Sequence, residues 1–241
     1  MKKKLIMIGC GGTAEMFADS FMASDEWEIA AFSVEKRYLR SSFMGRPVVA
    51  FENLEDLFSP EEYYFFVGIG ENDLNRLRRR FYTEMRSRGW NPASYISPRA
   101  SVSARAKLGE HCFVSDNVVI QTSCRAGNNV IFLPNCYIAH HSEIGDNVFC
   151  AGGANISGFA RIGEFSFIGA NAAVSTCVSV GRNCLVGIGG VCSRDLADNE
   201  ALVAPYNTVR PDAREIFNIW HAKTSAKARA ALNKRDDIND E

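Results

Sequence analysis

Two histidines stand side by side in CYIAHHSEIGDN, residues 136–147, of a chain with four histidines among 241 residues. Imidazole titrates near neutrality, so His140, with His141 beside it, suits removal of a proton from an attacking amine or hydroxyl. The same pair would also serve as polar surface on a turn. A second candidate is GCGGTA, residues 9–14, which fits G-x-G-x-x-A between an apolar run and an amphipathic one. Gly11, Gly12 and Thr13 would offer backbone N–H groups to a phosphate at a helix N-terminus, with no Cβ on the glycines to block its approach. Glu35 falls about where an acidic side chain holds a ribose hydroxyl. A glycine turn kept only for tight packing remains open beside this.

The elements around GCGGTA alternate. KKLIMIG and EIAAFSV read as buried strands, and TAEMFADSFMA as a helix with Thr13 as a candidate cap. RPVVAF, NLEDLF, YYFFVGIG and NDLNRLRRRFYTEMRSRG continue the strand–helix alternation of a small parallel α/β sheet. RLRRR reads as the solvated face of the last helix. The loop GIGEND, residues 68–73, should close the next strand at the same edge as the first glycine loop, where ligands of open parallel sheets bind. Residues 1–93 have room for one mononucleotide unit rather than a dinucleotide fold, which argues against a redox cofactor.

From Ser94 a six-residue rule takes over. Every sixth residue from Ile96 to Cys192 is free of charge and of side-chain amides, and the residue two before each is small. LGEH, AGNN, IGDN, IGEF and VGRN recur at eighteen-residue spacing, three hexapeptides per coil. Hexapeptide periodicity predicts a parallel β-helix over 94–206, with the large residue filling the prism and the Gly or Ser after it relieving the corner. Six of the eight cysteines fall in inward slots: Cys112, Cys124, Cys136 and Cys184 in small ones, Cys150 and Cys192 in large ones. No CxxC or Cys/His ligand spacing appears, so no metal is expected. The repeat is expected to stop after Cys192. A helix should follow over 211–232, and then a solvated tail, within residues 207–241. In this register His140 and His141 project from a corner, with Thr122, Gly158 and Thr176 stacked in the column of His140. The bare Gly158 N–H would suit an oxyanion.

Net charge is −1 and pI about 6.4, so no nucleic-acid footprint is expected. MKKKLIMIGCGG imitates a signal peptide, but its apolar run breaks at once into glycine. No stretch approaches the roughly 20 apolar residues of a membrane span. Membrane insertion is not expected, and a cytoplasmic location is the default.

A small Rossmann-like half with GCGGTA and GIGEND, leading into a hexapeptide repeat with IAHHSEIGDN, resembles the nucleotide-aminosugar N-acetyltransferases. These are grouped with the sialic-acid O-acetyltransferase-like sugar acyltransferases. The resemblance spans about residues 3–206. It implies a left-handed β-helix, a homotrimer, acetyl-CoA as donor, and a nucleotide-linked amino sugar as acceptor, in bacterial surface glycan (lipopolysaccharide, O-antigen) synthesis. It further implies that His140 is the catalytic base and that Gly158 meets the thioester carbonyl. Ala170, Gly187 and Ile188 would line the pantetheine arm, and Gly11, Gly12, Thr13 and Gly70 the sugar nucleotide. The family usually orients its histidine with a following acidic residue; here His141 holds that place, with Glu143 a substitute. Where the family often has an acidic pair after the second strand, this chain has SVEKR, whose Lys36 or Arg37 would meet a phosphate. VAPYNTV replaces the usual end of the coils and keeps only Pro205. No cysteine sits beside a base, which favours direct transfer over a covalent enzyme intermediate. O-acetylation of a sialic acid or glycan hydroxyl is the first alternative, and a non-catalytic nucleotide-sugar-binding scaffold the second.

Overall fold

The structure, a computed structural model, describes residues 2–203. The apolar runs of the first half become β1 (Lys3–Ile8), β2 (Trp27–Val34), β4 (Arg46–Ala50) and β5 (Tyr63–Val67). Short edge strands, β3 (Ser42–Phe43) and β6 (Asn91–Pro92), complete one sheet in the order β3-β4-β2-β1-β5-β6. Every pairing is parallel except the β3–β4 hairpin, so the sheet is mixed at one edge. Helices α1 (Gly12–Ala23) and α2 (Arg76–Ser87) lie where expected, whereas NLEDLF forms a 3₁₀ run over Phe51–Asp56 with a kink at Asn53. Thr13 is not the cap of α1. The helix starts two residues earlier than that cap would place it, with Gly11 at the N-cap, and no side chain caps it.

From Tyr95 the chain winds as a left-handed parallel β-helix of two-residue strands on three faces. The first face runs from Tyr95–Ile96 to Ala201–Leu202, the second from Ser101–Val102 to Val191–Cys192, and the third from Lys107–Leu108 to Ser179–Val180. The eighteen-residue period is literal: Phe113 pairs with Ile131, Ile131 with Phe149, and Phe149 with Phe167. The inward series is buried through the middle coils, as at Val114, Ile120, Ile138, Ile156 and Val174. Ile96 departs from the expectation and is 50% exposed, because no coil lies beneath it to close the prism. The six inward cysteines are buried.

The corners divide their work differently from the sequence expectation. A Cβ on Gly145 would stand 2.7 Å from the Glu164 nitrogen of the next coil, so this glycine is there for clearance between coils. The left-handed residue comes two places later, most often asparagine, as at Asn129 (φ 57°), Asn147 (φ 61°) and Asn183 (φ 56°). Asparagine tolerates that region better than most residues. Winding also continues past Cys192: Leu196 bridges Val180, and Ala201–Leu202 pairs with Leu185–Val186, sixteen residues away rather than eighteen. A coil shortened by two residues hides the last turn from a six-residue count. The expected helix over 211–232, the tail and Pro205 lie outside the described residues.

The described residues form one compact unit. Phe17 and Phe21 of α1 and Phe66 of β5 pack against Tyr95 and Phe113 on the outer side of the first face, with Phe17–Phe113 centroids 4.5 Å apart. Beneath this lies a polar seam. Strand β6 reaches only Pro92, so it offers no carbonyl to the N–H of Val67; His111 Nε2 accepts that N–H at 2.9 Å. The other ring nitrogen then carries the proton and donates to Asn129 Oδ1 at 2.9 Å. Arg78, fully buried, donates to Asn129 Oδ1 and to the backbone oxygens of Asn129, Asn147 and Val148. Burial, and next the Arg78 charge, push the His111 pKa down to about 3. Burial lowers that of Arg78 to about 9, which leaves it charged at neutrality.

Candidate active site

Strands β1 and β5 are neighbours and parallel, so the two glycine loops emerge side by side. They close around a cavity of about 400 Å³ whose lining includes Gly9, Gly11, Gly12, Thr13, Ser33, Glu35, Arg37 and Gly70. Gly9 has φ 111°, and a Cβ there would meet the Gly68 oxygen at 3.0 Å; the first loop turns tightly against the second. Nothing lies within 4 Å of a Cβ built on Gly11 or Gly12, so the N-terminus of α1 opens freely into the cavity. A Cβ on Gly70 would come 3.3 Å from Thr13 Oγ1, which brings the second loop against the first. Ser33 Oγ, buried in the cavity wall, has no hydrogen-bond partner among the described residues. An orphaned hydroxyl, unshared helix N–H groups and bare glycines together make a receptor for an oxyanion such as phosphate.

Glu35 reaches this cavity in company. Arg80 donates to its Oε1 and Arg37 to its Oε2, both at 2.8 Å. These two hydrogen bonds, that from Arg80 first, hold its carboxyl below the usual carboxylate range. The cluster of one carboxylate and two guanidiniums therefore carries net positive charge at the rim. Lys36 is not part of the lining: its backbone N–H donates to the Glu52 carboxylate and its side chain is exposed. Arg37 lines the cavity in its stead. Arg80 comes from α2, more than forty residues on, and no sequence spacing links it to Glu35.

The second cluster lies at the corner between the second and third faces. His140 and His141 follow Tyr137–Ile138 there, both exposed. Gln121, one coil below, accepts the His140 backbone N–H at 3.0 Å. His140 Nδ1 lies 3.2 Å from His141 Nδ1. The His140 ring covers Gly158: a Cβ there would stand 2.8 Å from its Cε1 and 3.0 Å from its Nε2. Gly158 N–H has no partner among the described residues, so a free donor adjoins the imidazole. Glu143 belongs to a different arrangement. It points outward from the third face and pairs with Arg161 of the next coil at 3.5 Å, leaving His141 as the partner at His140 Nδ1. Phe159, a residue the hexapeptide count passes over, stacks on His141 with centroids 4.9 Å apart and planes at 16°. Reading the His141 column at eighteen-residue spacing, Ser123, His141, Phe159, Cys177, would have found it.

Ala170, Gly187 and Ile188 are not beside His140. They lie on the corner between the first and second faces, with the Gly189 N–H donating to the Ala170 oxygen. Among them Ile188 is 75% exposed. The second face separates this column from His140 within one chain. Among the described residues no group of three or more His, Cys, Asp or Glu is placed to hold a metal ion, and no helix is long and apolar enough to cross a membrane.

Known proteins share this two-part fold. Residues 4–85 match the family described as the PglD N-terminal domain, and residues 90–191 the family described as the GMPPB C-terminal domain. The acetyltransferase domain of PglB from Neisseria gonorrhoeae superposes with a TM-score of 0.77 at 28% identity, over 86% of this chain and 100% of that one. A histidine-to-asparagine variant of perosamine N-acetyltransferase from Caulobacter crescentus, in complex with CoA and GDP-perosamine, gives 0.77 at 28% identity, over 87% and 97%. This chain resembles the hexapeptide-repeat sugar N-acetyltransferases, part for part. WeeI from Acinetobacter baumannii, at 17% identity, 83% and 96% coverage and a TM-score of 0.74, shares the fold of this resemblance. No curated protein matches the chain in sequence.

Proposed function

We propose that this chain is an acetyl-CoA-dependent N-acetyltransferase of a nucleotide-linked amino sugar, working by direct transfer. The observation that carries the proposal is His140 lying over Gly158, a base and a free backbone donor within one residue's width of each other. The PglB acetyltransferase domain in complex with acetyl coenzyme A, and perosamine N-acetyltransferase with CoA and GDP-perosamine, support the donor and the acceptor class.

Residues 1–93 take the nucleotide. The N–H groups of Gly11, Gly12 and Thr13, the Ser33 hydroxyl and the Arg37–Glu35–Arg80 rim receive the diphosphate, with Gly70 closing the far side. Residues 94–206 carry the transfer. Acetyl-CoA supplies the acetyl group as a thioester. His140 Nε2 removes a proton from the sugar amine as its nitrogen bonds to the thioester carbon, and returns that proton to the departing sulfur. Gly158 N–H holds the negative charge that gathers on the carbonyl oxygen. Because Ala170, Gly187 and Ile188 lie across the second face from His140, the pantetheine arm meets the base where one prism faces the next. A homotrimer provides that cleft, and exposed apolar Ile188 and Val191 supply surface for it. We place the enzyme in the cytoplasm, in the making of surface glycan precursors.

The test is release of free thiol from acetyl-CoA with UDP-, dTDP- and GDP-linked amino sugars, beside the same panel with a hydroxyl in place of the amine. Thiol release that requires the amine is the expected outcome. Release that proceeds equally with the hydroxyl series would make the enzyme an O-acetyltransferase, and none with any donor–acceptor pair would leave a binding scaffold.

A further inference from the structure

Phe159 stands at a position that does not suit it. Its φ is 60°, in the left-handed region, and it is 50% exposed. The same structural position at other corners is more often asparagine than any other residue, and asparagine adopts this backbone more readily and has no ring to leave in water. Two contacts account for the ring. It lies nearly parallel to His141 at 4.9 Å, and it meets His140 edge-on at 5.1 Å with the planes at 83°. A planar contact fixes the tilt of the His141 imidazole, and that tilt aims its Nδ1 at His140 Nδ1, 3.2 Å away. One proton fits between two such nitrogens. When His140 Nδ1 carries it and His141 Nδ1 accepts it, the lone pair of His140 is left on Nε2, on the side of Gly158. The other polar groups nearby do not compete: Glu143 is engaged with Arg161, and the Gln121 oxygen with the His140 backbone.

We propose that Phe159 is a positioning residue, which acts through His141 to hold the His140 imidazole in the tautomer that leaves Nε2 free as the base. This rests on the general-base role of His140. It predicts a dependence of one residue on the other that contact with substrate does not produce.

The test is a double-mutant cycle of Phe159→Ala and His141→Ala, with Phe159→Tyr as the conservative variant and His140→Ala as a separate control. It is read as thiol release from acetyl-CoA with the amino-sugar nucleotides. Phe159→Ala should lower kcat roughly tenfold, the scale expected of a misaligned catalytic group, with both KM values within about twofold. Phe159→Tyr should restore kcat. In the His141→Ala background, Phe159→Ala should change nothing further. An equal loss in both backgrounds, or a loss carried in KM for either substrate, overturns the proposal and makes Phe159 a substrate contact. The nitrogen resonances of the His140 ring give a readout without substrate. A single tautomer protonated at Nδ1 should be seen in the wild type and a mixture in Phe159→Ala; a mixture in both also overturns it. Full activity of His140→Ala would refute the base itself, whereas an inactive His140→Ala with additive effects refutes only the role of Phe159.

Discussion

At the scale of single residues, the proposed catalytic corner depends on what is missing at Gly158. Its Cβ would lie 2.8 Å from the His140 ring, a distance closed by moving the imidazole and not the backbone. Gly158→Ala should therefore reduce kcat by about tenfold or more, through misplacement of the base, while leaving the melting temperature within a few degrees. Steady-state kinetics beside a thermal melt checks both. His140 and Gly158 were legible in the sequence because the eighteen-residue period stacks one on the other. The pairing of His140 with His141 was legible only as adjacency. A corner turn can set neighbouring side chains together or apart, and φ 60° at His141 decides it. Glu143 shows the converse: two residues from His141 in sequence, it is turned by strand alternation toward Arg161.

At the scale of elements, α1 and the strand ends set the cavity proposed for the nucleotide. Gly11 has ordinary backbone angles and open space where a Cβ would go, so Gly11→Ala should fold normally. The added methyl would enter the space of the phosphate, raising KM for the nucleotide sugar severalfold with little change in kcat or in KM for acetyl-CoA. The glycine loop and its helix were visible in GCGGTA. Arg80 on Glu35 was not, because α2 meets the end of β2 only through the folded sheet. The β5 end depends on His111, and its pH dependence has a definite sign. The unfolded chain binds a proton at this imidazole as pH falls through about 6.5. The native chain does so only near 3, because burial, with Arg78 alongside, disfavours the charged ring. Stability from this group is thus full above about pH 6.5 and lost progressively as pH falls toward 3. In His111→Gln that part of the slope should vanish. Denaturant midpoints of both proteins from pH 7 to 4.5 should converge on acidification, and parallel curves would contradict the assignment.

At the scale of the whole molecule, seventeen inward positions of the repeat made the β-helix legible from sequence, since each coil repeats the same steric demand. Its limits were less so: the open end exposes Ile96, and the last coil loses two residues between Val180 and Leu196. The weld between the halves was invisible, because Phe17, Phe66 and Phe113 carry no sign of one another until both folds exist. On the proposed reading, the small corner residues Ala170 and Gly187 lie a whole face away from His140, so the site needs a second prism. Sedimentation equilibrium should give three times the 26.6 kDa of the chain, and a monomer at assay concentration would remove the shared cleft.

The central claim is that the His140 imidazole moves the proton in acetyl transfer to a sugar amine. Thiol release from acetyl-CoA, measured for the wild type and His140→Ala at saturating amino-sugar nucleotide, tests it most directly. The account predicts a fall in kcat of about 10² or more with little change in either KM; equal turnover by the two proteins would contradict it.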